Sequence, residues 1–188
     1  MEKNKMVEQD SWLYTLLLST LVILTESLKT YTFHINGVDL TYSLFLLPLI
    51  YLLTNYITKK FNYAKAVSAI CLSAVAMTSF VIIMSIGVGI TIRFNTLYAE
   101  LGAYVASQIV NLFIYYFLLQ NTRQPIVLII LNYMFALVVY YMLYTILDIK
   151  AVITDSYWVG YFTTLVIQAV ECTIIGFIDK KIKRGYEE

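Results

Sequence analysis

Apolar residues in this chain come in long blocks separated by short polar turns. The block Leu40–Ile57 runs eighteen residues without a charge, and Lys59, Lys60 and Lys65 follow at once. At about 1.5 Å per residue, a helix of roughly 20 apolar residues crosses the hydrocarbon of a bilayer. Five more blocks have the same character: Trp12–Leu28, Val67–Ile92, Leu97–Leu119, Ile126–Leu147 and Trp158–Ile178. The connections are too short to hold a soluble domain. The pattern therefore predicts an all-α integral membrane protein, one transmembrane domain over residues 1–188 folded as a compact bundle of six transmembrane helices. Pro48 falls in the middle of its block, where loss of a backbone donor and a clash with the preceding turn predict a bend.

Composition supports this reading. The 188 residues are 60% hydrophobic with a mean hydropathy of +0.75, outside the range of soluble domains. Thirteen Lys and Arg against twelve Asp and Glu leave no basic footprint for nucleic acid. Cys71 and Cys172 lie inside apolar blocks without a CxxC pattern and read as small buried hydrophobes. The polar stretch Met1–Asp10 precedes the first block, but no small-x-small cleavage site follows it, so a retained first helix is expected.

Basic residues give an orientation. Ten Lys and Arg fall at the two termini, after the second block and after the fourth, against three (Lys29, Arg93 and Lys150) on the opposite side. The excess places both termini in the cytoplasm of a protein of the plasma membrane. Aromatic residues near the block ends, such as Trp12, Tyr14 and Tyr63 at one face and Tyr42, Tyr98 and Trp158 at the other, form the expected interfacial belts. On the third block Ala69 and Ser73, Ala74 and Thr78, and Ser85 and Gly89 have the small-xxx-small spacing of close helix packing. Asn36-Gly37 signals a turn, with His34 beside it as a lone surface histidine.

Catalytic signatures are missing. The chain has no GxxxxGK[ST], no HExxH and no GxSxG, and its one histidine is on a loop, so no enzyme, metal site or cofactor is expected. Uncharged polar groups at membrane depth carry the remaining chemistry: Asn55, Ser107, Gln108, Asn111, Asn132 and Gln168, with the carboxylate of Glu171. Such groups are costly in lipid unless partnered, so they should face the bundle interior. Gln108 lies eleven residues from either end of its block, at the midplane where transporter sites sit. Glu171 is seven residues from Ile178, roughly 10 Å deep, where a lone carboxylate costs on the order of 2.5–3.5 kcal/mol. The expected site for a small, flat, hydrogen-bonding solute comprises Tyr51, Asn55, Tyr104, Gln108, Asn111, Gln168 and Glu171. The amides would read its edge, a tyrosine would stack on its face, and the fourth and sixth helices would face each other across it.

Two stretches carry a family resemblance. LPLIYLLTNYITKKFNYAKA resembles the second-helix signature of the VUT family of vitamin uptake transporters, which includes queuosine-precursor transporters, through Pro48, Tyr51, Thr54, Phe61 and Lys65. AYVASQIVNLFIYYFL is similar to the family's Ser-Gln-x-x-Asp run through Ser107, Gln108, Asn111, Ile114 and Tyr115. The resemblance implies uptake of a 7-deazapurine or a vitamin-like base. Asn55 and Asn111 stand where the family pattern has acids, and Lys59 replaces a third. Amides suit a neutral base better than a cation.

The partners expected are the lipid bilayer and a small-molecule solute, with a homo-oligomer and separate energising subunits both left open. Two other readings stay open: the substrate-binding subunit of an energy-coupling transporter, and a non-transporting membrane scaffold whose polar groups serve only packing.

Overall fold

The computed structural model of the chain describes residues 2–35, 38–88, 94–119, 125–147 and 155–184. Helix α1 (Glu2–Leu28) leads into a two-stranded antiparallel hairpin, β1 (Thr32–Ile35) and β2 (Val38–Thr41), in the register Phe33↔Leu40. A 3₁₀ turn, Tyr42–Phe45, runs into α2 (Leu47–Lys60). Then come α3 (Tyr63–Val88), α4 (Phe94–Ile114) with a π-helical extension Tyr115–Leu119, α5 (Ile126–Leu147) and α6 (Asp155–Arg184). The predicted turn Asn36-Gly37 lies outside the described residues.

Five segments are long and apolar enough to cross a membrane: Asp10–Leu28, Tyr63–Val88, Phe94–Phe117, Ile126–Leu147 and Val159–Lys181. Their outward positions are apolar, with Leu13, Ile83, Ile109, Leu131 and Val166 all exposed. An apolar exterior of this extent is what lipid, not water, solvates. The bundle is a membrane-embedded all-α protein.

The second block departs from the expected continuous span. Its first residues, Leu40 and Thr41, complete β2, and the next four form the 3₁₀ turn. The α-helix that remains has fourteen residues, about 21 Å of rise against about 30 Å of hydrocarbon. Pro48 sits in its first turn, not mid-helix, where the missing N–H would have had no intrahelical partner. The bend expected there becomes a helix start.

This short helix is the centre of the molecule. α3 packs against α1 and α4, and α5 against α4 and α6, so the long helices form an arc in the order α1-α3-α4-α5-α6. α2 touches all five. The sequence of α2 fits that place: Leu47, Pro48, Ile50, Tyr51, Thr54, Asn55, Ile57 and Thr58 are buried, a stripe at i, i+3, i+4 and i+7 that is wide for a helix surrounded by others. Between α1 and α6 the 3₁₀ turn packs against both helices and fills the gap.

α1 and α3 pack against each other, and both bury small residues among larger apolar ones. α1 buries Ser11, Thr15, Leu18, Val22 and Thr25, spaced four and three alternately, and α3 buries Ala66, Ala69, Ile70, Ser73, Ala74 and Met77. The small-residue stripe of α3 thus serves packing within the chain as far as Thr78; Gly89 lies outside the described residues. Gly176 does the same between α6 and α5, since a Cβ there would fall 2.9 Å from Ile130 Cγ1. Cys172 is buried as expected, but Cys71 is exposed on α3.

Side-chain contacts at the two ends establish the up-and-down order. At one end Lys60 of α2 pairs with Asp10 of α1 at 3.2 Å and stands 4.6 Å above the Tyr14 ring, while Tyr63 of α3 meets Tyr116 of the π extension. At the other, Lys29 bridges Glu26 of α1 at 2.6 Å and Glu100 of α4 at 3.0 Å. Burial opposes the Lys29 charge, and the two carboxylates outweigh it and raise its pKa. His34 pairs with Asp39 across the exposed hairpin at 2.9 Å.

Candidate functional site

Four polar side chains meet between α2, α4 and α5. Asn111 Nδ2 donates to Asn55 Oδ1 at 2.9 Å, and Asn55 Nδ2 donates back to Asn111 Oδ1 at 3.4 Å and to the Tyr133 hydroxyl at 3.2 Å. Asn132 Nδ2 supplies Asn111 Oδ1 with a second donor at 2.8 Å. Asn55 and Asn111 are wholly buried and Asn132 nearly so. The Asp179 carboxylate of α6 faces the Tyr133 hydroxyl, so the lattice extends to a fourth helix. In a low-dielectric interior each of these bonds is strong, and each unmade one is costly.

One turn along α4 from Asn111, Gln108 is also wholly buried, yet neither its Nε2 nor its Oε1 has a hydrogen-bond partner among the described residues. Leaving a buried carboxamide unpaired costs roughly 1–3 kcal/mol for each group. The side chain thus offers one donor and one acceptor, side by side, to whatever can reach them.

The tyrosines expected to stack on a solute are engaged otherwise. Tyr104 and Ser73 share a 2.6 Å hydroxyl contact between α4 and α3. The Tyr51 hydroxyl donates weakly to the Ala136 carbonyl at 3.5 Å and lies in reach of Ser107. Between Tyr104, Tyr140, Met77 and the Glu26 carboxyl lies a cavity of about 10 Å³, room for one water and not for a heterocycle.

Gln168 and Glu171 occupy a different quarter of the bundle. Gln168 Nε2 donates to the Leu44 carbonyl and to the Tyr141 hydroxyl, both at 3.0 Å. Glu171 lines an outward-facing groove with Phe45, Ile167, Val170 and Ile174, and its Oε2 has no partner among the described residues. Among the described residues α4 and α6 share no extensive contact, and α5 and α2 each pack against both. Of the seven expected site residues, the contacts join Asn55 to Asn111, with Gln108 beside them on the same helix, and none links Gln168 or Glu171 to that pair.

Asn132 and Tyr133 complete the lattice and were not in the expected set. Their signal was an adjacent polar pair inside the otherwise apolar run ILNYMFALVV. Its meaning depends on the neighbours that α5 acquires in the fold. Among the described residues no group of three His, Cys, Asp or Glu is placed to hold a metal ion. No protein-family model matches the chain, and neither a curated protein nor a solved structure matches it.

Proposed function

We propose that the chain is a plasma-membrane transporter, with both termini cytoplasmic, that takes up a small, flat, neutral and polar solute. The observation that carries this reading is Gln108: a buried carboxamide, at mid-depth of its helix, with donor and acceptor both unpaired among the described residues. A planar heterocycle with an adjacent donor and acceptor on its edge would pair with it, and the burial cost would be recovered on binding. The local resemblance to queuosine-precursor transporters supports a 7-deazapurine or a related base as solute class. Amides at Asn55 and Asn111, in place of the family's acids, favour a neutral base.

On this reading the closed packing around Tyr104 is one state of the transport cycle, and α2 is the element that shifts. It is short, central, and held to α4 by one reciprocal amide pair. The test is a thermal-shift series on detergent-purified protein with purines, 7-deazapurines and neutral vitamins. A neutral bicyclic base should raise the Tm, and Gln108→Leu should abolish that rise. No response to any compound, or an equal response in Gln108→Leu, would reject the assignment.

A further inference from the structure

A second site lies on the opposite side of α5 from α6, in the cleft between α5 and the end of α4. The cavity has a volume of about 470 Å³ and is lined, among the described residues, by Ile114, Leu128, Leu131, Met134, Phe135 and Val138, with Asn132 as the one polar residue of that set. Leu128, Leu131 and Phe135 are exposed to the outside of the bundle, so the cleft opens toward lipid. A space of this size accommodates a drug-sized molecule.

Asn132 gives the cleft a chemical polarity. Asn111 Oδ1 is an acceptor, so Asn132 must turn its Nδ2 toward it, which the 2.8 Å contact shows. Its own Oδ1 is left buried without a partner among the described residues, although the residue is only 2% exposed. That oxygen can accept and cannot donate. The ester and ether oxygens of an ordinary membrane phospholipid are likewise acceptors only, and they would leave it unsatisfied. A hydroxyl at the end of an apolar body would satisfy it, with the body against Phe135, Leu131 and Ile114.

We propose that this cleft binds a membrane-dissolved amphiphile of the long-chain alcohol class, its hydroxyl donating to Asn132 Oδ1. The site is separate from Gln108, yet Asn132 also holds Asn111, so occupancy at the lipid face bears directly on the amide lattice.

The experiment uses the full chain in phosphatidylcholine nanodiscs, titrated with 1-dodecanol and, in parallel, with its methyl ether. The two probes share an apolar body, but only the alcohol can donate. The alcohol should raise the Tm with a half-saturating concentration roughly fivefold lower than the ether's, the effect of about one net hydrogen bond. Leu131→Trp fills the cleft from its exposed side, leaves Asn132 in place, and should remove the response to both probes. Equal responses to alcohol and ether, no response to either, or a response retained in Leu131→Trp would overturn the proposal. None of these readouts involves solute uptake, so the outcome is independent of the transport reading.

Discussion

Asn55 of α2 and Asn111 of α4 bond to each other amide to amide, the first at the centre of the bundle and the second on the arc around it. Reciprocal amide pairs fix both register and rotation, because a slip of one residue carries each carboxamide about 100° around its helix. Asn111→Leu would leave Asn55 Oδ1 and Asn132 Nδ2 without their partners. We expect a loss of roughly 1–3 kcal/mol in unfolding from detergent micelles. The double variant Asn55→Leu/Asn111→Leu should lose less than the sum of the two single variants, because the second change removes a group already orphaned. Strict additivity would show that the pair does not act as a unit.

Gln108 separates packing from recognition. Its carboxamide has no partner to lose among the described residues, so Gln108→Leu should leave stability unchanged or raise it by about 1 kcal/mol, while abolishing uptake. Packing glue would give the opposite result, a destabilised protein. Chemical denaturation of the variant, beside an uptake assay, distinguishes the two.

Lys29 holds two carboxylates that would otherwise repel each other. Lys29→Met should destabilise the α1–α4 junction at neutral pH, by less than the roughly 3–5 kcal/mol of a fully buried pair, since the Lys29 side chain keeps 24% of its surface exposed. The deficit should shrink when Glu100→Gln is added to Lys29→Met, because that change removes one of the two like charges. A double variant no more stable than Lys29→Met would exclude this account. Unfolding midpoints of the single and double variants provide the measurement.

Orientation can be read by labelling. Asp39 on the hairpin and Asn62 between α2 and α3 are both exposed and stand at opposite ends of the bundle. With Cys71 first replaced by serine, an impermeant maleimide applied to intact cells should modify Asp39→Cys and spare Asn62→Cys. The reverse pattern would invert the protein in the membrane.

Five membrane-length helices followed from the sequence alone, because twenty or so uncharged apolar residues have no favourable place except lipid. Ile126–Leu147 was legible to the residue, since a helix of uniform apolarity is bounded only by its charged and proline-containing flanks. The burial of Asn55, Gln108 and Asn111 was legible too, because lipid cannot satisfy an amide. The second block is less regular than expected for a physical reason. Hydropathy measures affinity for an apolar surrounding and does not tell strand or turn from helix, so the end of β2, the 3₁₀ turn and the short central helix read as one continuous helix. Only the tertiary structure decided that α2 is central, that Pro48 opens it, and that Asn132 closes on Asn111 while Glu171 turns outward. Each of those depends on which helix faces which, and that is fixed by long-range packing that no local pattern encodes.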